Sequence, residues 1–264
     1  MTKYVIDVAK EIEHIIDWIK DYFVKNGPNS KAVIGMSGGK DSTIVATLLC
    51  KALGPEKVYG VIMPEGEMRD QRLAEEICDY LGMDYRVVNI KDIVDATYRS
   101  IGHNCEHNHQ ITTNTPARIR MAILYAVAAE VGGRVANTCN KSEDYVGFST
   151  KYGDLAGDFS IFENYPVRWV CEIGEGLELP DSWVYKVPDD GMCGQTDEDK
   201  FGFTYKTLDA YLIDDIVPEY DTYKKIKEMN ERNKHKNVIN LPRPNVKTRH
   251  RDGEKWEEDI WFEF

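Results

Sequence analysis

The sequence predicts an α/β fold built on a doubly wound parallel sheet that is flanked by helices. Short apolar runs alternate with longer segments in which apolar residues recur every three or four positions, as expected when strands and helices alternate. The connecting segments are long enough for right-handed β-α-β units. A glycine-rich turn at 37–42 follows the first predicted strand, which places it at the edge where open α/β sheets bind ligands.

The predicted elements follow one another regularly in the first third of the chain. Residues 5–23 carry an apolar stripe at helical spacing, which predicts an amphipathic helix that ends before Asn26-Gly27-Pro28. The next elements are strands near 31–36, 57–63 and 84–90, with helices from the glycine-rich turn to about Leu53 and near 69–82. Together they form β-α-β units, so the glycine-rich turn lies at the carboxyl end of a strand.

The pattern is less regular in the rest of the chain. Glycines and prolines interrupt the periodicity between about 171 and 204, which predicts a loop-like segment of functional importance. The other predicted elements are a long helix near 115–131 with Pro116 in its first turn, a strand near 134–138, and helices near 141–147, 205–213 and 219–233.

The composition excludes several classes of protein. The 264 residues include 33 Lys and Arg against 45 Asp and Glu, a formal net charge of -12, which disfavours a nucleic-acid-binding surface. No apolar run approaches the roughly 20 residues needed to cross a bilayer, and the N-terminus lacks a signal-peptide core, so a cytoplasmic protein with no membrane partner is expected. The six cysteines are widely spread without a Cys-x-x-Cys pair, which predicts reduced thiols.

One segment carries metal-ligand residue types at alternate positions, namely His103, Cys105, His107 and His109. Structural zinc sites usually take their ligands from two separated pairs, and alternate side chains of an extended segment do not close a tetrahedron. A polar loop is therefore expected here, with metal binding as the alternative.

The glycine-rich turn has the composition of a phosphate-binding loop and reads Ser37-Gly38-Gly39-Lys40-Asp41-Ser42. Its glycines let backbone N–H groups approach phosphate oxygens, and the N-terminus of the following helix adds unpaired donors. Asp41 would repel a bare phosphate, which indicates that a cation mediates between them. A Walker A loop would need glycine at Ile34 and a hydroxyl residue after Lys40, so this turn is of another type. A turn that binds no ligand is the alternative.

The Ser-Gly-Gly-x-Asp-Ser pattern resembles the PP-loop family of ATP pyrophosphatases, whose loop holds the pyrophosphate that leaves when a substrate attacks the α-phosphorus of ATP. Four further stretches resemble, in their order along the chain, ammonia-dependent NAD synthetase: 114–121, 138–143, 148–154 and 191–202. The resemblance covers about residues 10–245. It implies a Rossmann-like sheet of the adenine nucleotide α-hydrolase-like type, in a single domain that spans residues 1–264.

The resemblance implies a C–N ligase that works in two steps. The nicotinate carboxylate of nicotinic acid adenine dinucleotide attacks ATP to give an adenylate and pyrophosphate, and ammonia then displaces AMP to leave NAD. Mg²⁺ is the implied cofactor, ATP is a co-substrate, and a homodimer is expected. No separate glutaminase domain is expected, because there is no room for one before residue 37. A lid at about 174–204 is expected to exclude water from the adenylate.

The resemblance also assigns roles to residues that match the motifs. The predicted catalytic residues are Asp41, Glu143 and Asp154, of which Asp41 and Glu143 are the implied Mg²⁺ ligands. The predicted ATP contacts are Gly35, Ser37, Gly38, Gly39, Lys40, Ser42, Met63, Arg118, Thr138, Arg168, Ser182 and Thr196. The predicted contacts of the dinucleotide substrate are Arg120, Phe148, Lys151, Asp158, His235 and Lys236.

The chain departs from the pattern of the family in several places, two of which concern the ATP contacts. Asn137 and Cys139 flank Thr138 where the family usually has glycines, which predicts a different local backbone. Arg168 lies near the position of a phosphate-binding lysine, slightly off register, and its forked head group is bulkier than an ammonium.

Two other functions are compatible with a PP-loop but have less support. Another PP-loop ligase, resembling GMP synthetase or a tRNA-modifying enzyme, would need a different second loop, or paired catalytic cysteines and a basic surface. A non-catalytic nucleotide sensor of the same fold would not require both proposed metal carboxylates, Asp41 and Glu143.

Overall fold

A computed structural model of the chain describes residues 4–67, 70–102, 108–186 and 196–237, together with 248–249 and 256–257. The main strands are β1 (Lys31–Gly35), β2 (Val58–Ile62), β3 (Asp84–Val87), β4 (Gly133–Asn137) and β5 (Phe159–Ser160). They form one sheet in the order β3-β2-β1-β4-β5, and all neighbouring pairs are parallel. Because the chain proceeds outward from β1 in both directions, the sheet is doubly wound and the predicted fold class is confirmed.

Helices cover both faces of this sheet. The α-helices of the described residues are α1 (Val8–Asn26), α2 (Lys40–Leu53), α3 (Asp70–Leu81), α4 (Lys91–Ile101), α5 (His109–Val131), α6 (Lys141–Val146), α7 (Val167–Gly176), α8 (Asp181–Val184), α9 (Asp197–Phe201), α10 (Tyr205–Asp214) and α11 (Tyr220–Asn233). A separate antiparallel pair joins β6 (Thr248–Arg249) to β7 (Trp256–Glu257). Among the described helices, none combines the length and the apolar character needed to span a bilayer.

The side chains of β1 alternate between two hydrophobic clusters. Ala32 and Ile34 belong to the cluster formed with α1, α2 and α7, whereas Val33 belongs to the cluster formed with α5. A strand that is buried on both faces is apolar at successive positions, which explains why the sequence identifies it clearly. This central strand leads directly into the glycine-rich loop.

Helix α5 begins earlier than the sequence predicts. The Asn108 side chain accepts hydrogen bonds from the backbone N–H groups of Gln110 and Ile111, which caps a helix that starts at His109. Pro116 therefore lies inside the helix and not in its first turn. The predicted polar loop ends at this cap, and its residues 103, 105 and 107 lie outside the described part of the chain.

Helix α4 is an element that the sequence analysis does not predict. Val94 is the one buried side chain of this helix. Most of its other side chains are exposed, and the sequence predicts no element between the strand near 84–90 and the helix near 115–131.

The segment at 171–204 contains helices where the sequence predicts loop-like structure. Gly174 and Gly176 lie within α7, and α8 and α9 follow. A Cβ atom on Gly174 would lie 2.9 Å from Ile44 Cδ1, and one on Gly176 would lie 2.4 Å from Val8 Cγ1. The two glycines thus allow α7 to pack closely on α1 and α2 instead of interrupting the helix. Residues 187–195 of this segment lie outside the described part of the chain.

Candidate active site

A cavity of about 450 Å³ lies at the carboxyl ends of the central strands. Gly35 at the end of β1, Met63 after β2 and Thr138 after β4 all line it. The predicted site residues that line the cavity are Gly35, Ser37, Gly39, Lys40, Asp41, Met63, Arg120, Thr138, Glu143, Phe148 and Asp154. The structure therefore brings together residues from four separate parts of the sequence at the edge where sheets of this type bind ligands.

Gly38 and Ser42 support the glycine-rich loop from behind. Gly38 has a φ of 76°, and a Cβ atom there would lie 2.9 Å from the backbone oxygen of Asp70, so only glycine fits. The Ser42 hydroxyl donates to the Gly39 carbonyl at 3.1 Å and lies 3.2 Å from Ser37 Oγ. Helix α2 begins directly after Gly39, which caps it without a side-chain hydrogen bond. The helix N-terminus therefore offers backbone N–H groups to an anion.

Lys40 is a buried cation beneath this loop. Its side chain is 5% exposed, its Nζ lies 2.7 Å from Asp41 Oδ2, and it lies 5.8 Å from the centre of the Tyr205 ring. Burial lowers the pKa of Lys40, but the carboxylates of Asp41 and Glu143 outweigh this effect, so the pKa is raised overall. The ammonium is therefore charged at neutral pH and partly neutralises the two carboxylates.

Asn140 connects the two predicted metal ligands. Its Nδ2 donates to Asp41 Oδ1 at 3.1 Å, and it forms a capping box with Glu143 at the start of α6. Within the described residues, no cluster of three or more His, Cys, Asp or Glu side chains forms a metal site made of protein alone. Two carboxylates at a phosphate loop suit Mg²⁺, which takes its remaining oxygen ligands from water and substrate phosphates.

Asp154 lies in the same cavity and is held by the turn around Thr150. Burial raises the pKa of the Asp154 carboxyl, while a hydrogen bond from the Thr150 backbone N–H, at 2.9 Å, opposes the shift. The Asp154 carbonyl accepts hydrogen bonds from Asn137 Nδ2 and Cys139 Sγ at 2.8 and 3.3 Å. Neither Asn137 nor Cys139 has a positive φ, so this turn has no need of glycine for its backbone conformation.

Phe148 and Arg120 complete the part of the cavity that is predicted to take the second substrate. The Phe148 ring packs edge-on against Phe201, with ring centres 4.6 Å apart. Arg120 Nε donates to the Met63 carbonyl at 3.0 Å. Burial lowers the pKa of Arg120, although a guanidinium remains charged at neutral pH.

A second group of predicted residues lies outside the cavity and is connected by hydrogen bonds. Arg118 Nε donates to the Lys151 carbonyl at 3.2 Å, and Lys151 Nζ donates to the His235 carbonyl at 2.9 Å. Lys236 Nζ donates to the Gly147 carbonyl at 2.7 Å. These contacts gather basic residues from α5, from the loop after α6 and from the turn after α11.

Three other predicted residues also lie outside the cavity. Asp158 Oδ2 accepts a hydrogen bond from the Val135 backbone N–H at 2.7 Å. Thr196 caps α9 by accepting from the Asp199 backbone N–H at 3.2 Å. Ser182 is exposed within α8. None of these three residues lines the cavity.

The model of the NAD synthase family matches residues 11–250. The chain belongs to the NAD synthase family. It is similar to the NH3-dependent NAD+ synthetase of Pyrococcus horikoshii, with 40% identity over 209 residues that make up 79% of each chain. It is also similar to the NH3-dependent NAD+ synthetase of Methanococcus aeolicus, with 42% identity over 191 residues, 70% of this chain and 75% of that one.

Solved structures of the family share the architecture. An NMN synthetase from Francisella tularensis superposes with a TM-score of 0.83 and 30% identity, covering 92% of this chain and 100% of that one. An NH3-dependent NAD synthetase from Campylobacter jejuni superposes with a TM-score of 0.73 and 28% identity, covering 91% and 100%. The similarity to NAD synthases therefore extends over nearly the whole sheet and its helices.

Arg168, which the sequence predicts as an ATP contact, does not line the cavity. Its guanidinium forms two hydrogen bonds with the Asp214 carboxylate, at 2.8 and 3.1 Å. Because the Asp214 side chain is 4% exposed, this ion pair is partly buried and joins α7 to α10. Arg168 is thus engaged in packing two helices together.

Two charged residues that line the cavity, Asp70 and Lys186, are not predicted from the sequence. Their side chains form an ion pair with an N···O distance of 2.7 Å. Neither belongs to a motif, and they are far apart in the sequence, so no local pattern indicates the contact. Asn140 belongs to the motif at 138–143, but its contact with Asp41 appears only in the structure.

Proposed function

We propose that this protein is a ligase that converts nicotinic acid adenine dinucleotide to NAD. In the first step the nicotinate carboxylate attacks the α-phosphorus of ATP and pyrophosphate leaves, and in the second ammonia displaces AMP and forms the amide. The observation that carries this proposal is the meeting of the glycine-rich loop with Asp41 and Glu143 in one cavity of an NAD synthase fold. A carboxylate becomes an acyl donor only when its oxygen leaves as phosphate, so a site that binds pyrophosphate fits amide formation.

Asp41 and Glu143 are the residues that would hold Mg²⁺. Both supply hard oxygen ligands, both line the cavity, and Asn140 fixes their loops relative to each other. When bound, the ion would neutralise charge on the phosphates as pyrophosphate leaves. This role also explains why an acidic residue is found inside a phosphate-binding loop.

The loop itself would bind the pyrophosphate part of ATP. Backbone N–H groups at the start of α2 would face the pyrophosphate. The hydroxyls of Ser37 and Ser42 stabilise the conformation of the loop. Lys40 would add positive charge beneath the loop while it keeps its ion pair with Asp41. Thr138 lies in the loop after β4, the strand next to β1, and would contact the nucleotide from there.

The second step would take place near Asp154 and Phe148. The raised pKa of Asp154 makes its carboxylate a better proton acceptor, which suits a residue that positions and deprotonates ammonium. Phe148 would stack on the nicotinate ring. The basic group around Arg118, Lys151 and Lys236 would bind the phosphates of the dinucleotide beyond the cavity.

Water must be excluded because an exposed acyl adenylate hydrolyses. The segment at 174–204, which includes Ser182 and Thr196, would act as the lid, and its described parts contain the end of α7 as well as α8 and α9. A homodimer is part of the proposal, since α1 exposes apolar side chains that a second subunit can cover. Val24, for example, is 70% exposed.

A second candidate substrate is the corresponding acid mononucleotide. The structural match to an NMN synthetase has a TM-score of 0.83 over the full length of that chain, against 0.73 for the NAD synthetase from Campylobacter jejuni. The same adenylation and amidation chemistry applies to both substrates, because they share the nicotinate carboxylate.

One assay tests the proposal. Purified protein is incubated with ATP, Mg²⁺, ammonium and nicotinic acid adenine dinucleotide, and in parallel with nicotinic acid mononucleotide, and the products are separated by chromatography. We expect NAD, AMP and pyrophosphate in equal amounts from the dinucleotide. Faster amide formation from the mononucleotide would select the second candidate. ATP cleavage without either amide would indicate another PP-loop ligase, and ATP binding without cleavage would indicate a sensor.

A further inference from the structure

The cavity contains a cation whose position indicates a role in binding nucleotide. Lys186 follows α8, and its Nζ donates to the Gly38 carbonyl at 3.1 Å and lies 2.7 Å from Asp70 Oδ2. Its side chain lines the cavity and is 22% exposed. The ammonium therefore lies against the glycine-rich loop and is accessible from solvent.

The other cations that line the cavity, among the residues that the structure describes, are bound more firmly to protein groups. Lys40 is 5% exposed and pairs with Asp41, and Arg120 donates to the Met63 carbonyl. The partner of Lys186 is different, because Asp70 lines the same cavity and is itself 32% exposed. Both partners are partly exposed, so solvent weakens their attraction and an incoming anion can replace the Asp70 carboxylate at small cost.

Arg168 cannot easily provide this charge. It holds the Asp214 carboxylate through two hydrogen bonds, and the Asp214 side chain is 4% exposed. Moving the guanidinium to a phosphate would remove the bidentate partner of a buried carboxylate, which is costly. Arg168 is therefore held away from the glycine-rich loop and is not available to an anion bound there.

We propose that Lys186 binds the terminal phosphates of ATP and holds the pyrophosphate as it leaves. On nucleotide binding the ammonium exchanges the Asp70 carboxylate for phosphate oxygens, which carry more charge and lie at the same loop. Asp70 keeps the ammonium beside Gly38 when no nucleotide is bound. This inference rests on the proposed function, because it assumes that the loop binds ATP.

The test compares Lys186→Met, which removes the charge, with Lys186→Arg, which keeps it. Binding of Mg²⁺-pyrophosphate and Mg²⁺-ATP is measured by calorimetry, and the KM values for ATP and ammonium are measured by initial rates. We expect Lys186→Met to weaken pyrophosphate and ATP binding by about 10- to 100-fold, as for the loss of a charged hydrogen bond, with little change in the KM for ammonium. Lys186→Arg should recover most of the affinity. Lys224→Met, which breaks an exposed ion pair with Glu228 on α11, is the matched control and should have no effect.

A double variant separates phosphate binding from simple neutralisation of Asp70. If Lys186 only offsets the negative charge of Asp70, then Asp70→Asn combined with Lys186→Met restores wild-type pyrophosphate affinity, and the inference is overturned. If Lys186 contacts phosphate, the double variant remains about as weak as Lys186→Met. Unchanged affinity in Lys186→Met, or an equal rise in the KM values of all substrates, would also overturn it.

The calorimetric experiment does not depend on turnover. A wild-type protein that binds ATP but forms no amide would contradict the proposed function, while Lys186→Met would still test the inference. A wild-type protein that forms NAD, with unchanged ATP binding in Lys186→Met, would contradict the inference alone. Binding of neither ATP nor pyrophosphate by the wild type would contradict both.

Discussion

At the scale of single residues, Lys40 is a buried charge in the glycine-rich loop that depends on a carboxylate partner. A lysine that is 5% exposed is stable only with carboxylate partners, and Asp41 provides one at 2.7 Å. The same Asp41 is a proposed Mg²⁺ ligand, so under this proposal its carboxylate would serve both the fold and the chemistry. Asn140 donates to the other oxygen of Asp41 and thereby fixes the orientation of the group.

Replacing Asp41 by asparagine should therefore affect both activity and stability. We expect Asp41→Asn to reduce AMP formation at least about 100-fold, because charge stabilisation of the leaving pyrophosphate is lost. The free energy of unfolding should fall by about 3 kcal/mol, since a buried ammonium loses its nearest charged partner. Product chromatography and urea unfolding measure the two effects, with an unchanged circular dichroism spectrum as evidence that the fold persists. Asp21→Asn, at an exposed position of α1, is the control. Wild-type activity of Asp41→Asn would exclude Asp41 from the metal site.

Cys78 illustrates the effect of burial on a thiol. Its side chain is fully buried, and burial raises the pKa of Cys78 to about 12, with nearby carboxylates adding to the shift. Only on the order of one thiol in 10,000 is then ionised at pH 8, so the reactive thiolate is scarce. The four cysteines among the described residues are all free thiols.

We therefore expect Cys78 to resist alkylation by iodoacetamide in the folded protein at pH 8 and to react readily in urea. Since the pKa of the folded state is above that of the unfolded state, this thiol's contribution to stability is complete below pH 8 and is lost as the pH rises towards 12. Mass spectrometry of the labelled peptides gives the reaction rate. Fast labelling of Cys78 in the native protein would contradict its burial.

At the scale of elements, α7 depends on two glycines for its position. In an isolated helix, glycine is less favourable than alanine by about 1 kcal/mol. Here a Cβ atom on Gly176 would lie 2.4 Å from Val8 Cγ1, and one on Gly174 would lie 2.9 Å from Ile44 Cδ1. Close packing against α1 and α2 therefore outweighs the helix propensity.

Gly176→Ala should accordingly destabilise the protein, although helix propensity alone predicts the opposite. We expect a loss of about 1–2 kcal/mol in the free energy of unfolding, because Val8 is β-branched and cannot rotate away easily. The matched variant combines Val8→Ala with Gly176→Ala. Because Val8→Ala removes the atom that the new methyl group would meet, Gly176→Ala should lower the free energy of unfolding less in the Val8→Ala background than in the wild type. A stabilised Gly176→Ala single variant in thermal or urea unfolding would show that α7 is not held by this contact.

At the scale of the whole molecule, the parallel sheet brings the site together. β1, β2 and β4 are neighbours in the sheet although β4 follows β2 by about 70 residues, so their carboxyl ends form one edge. The loops after these strands carry the glycine-rich turn, Met63 and the Thr138 segment. The cavity is therefore a consequence of strand order.

The exposed apolar residues of α1 lead to a prediction about assembly. Val24 is 70% exposed and Trp18 is 40% exposed, which is unfavourable unless another surface covers them. We expect light scattering after size-exclusion chromatography to give twice the mass of the 30.2 kDa chain. Val24→Asp should shift the population towards monomer, whereas Lys224→Ala at an exposed position of α11 should not. A monomer at micromolar concentration for the wild type would contradict this prediction.

By itself the sequence determined the fold class, the main strands and the position of the loop. Successive apolar residues in β1 and a motif within six positions are local features, and local features can be recognised without tertiary contacts. The resemblance carried by the ordered motifs likewise led to the family, which the comparisons confirm.

Only the tertiary structure decided which distant segments contact one another. Gly174 and Gly176 have the composition of a loop but lie in a helix, because neighbouring helices leave no space for a Cβ atom. Arg168 matches a family position in sequence, but Asp214, which is 46 residues away, holds its guanidinium. Lys186 matches no motif, yet it lies at the loop because α8 places it beside Asp70. Contacts between distant segments depend on packing, and the periodicity of the sequence does not record them.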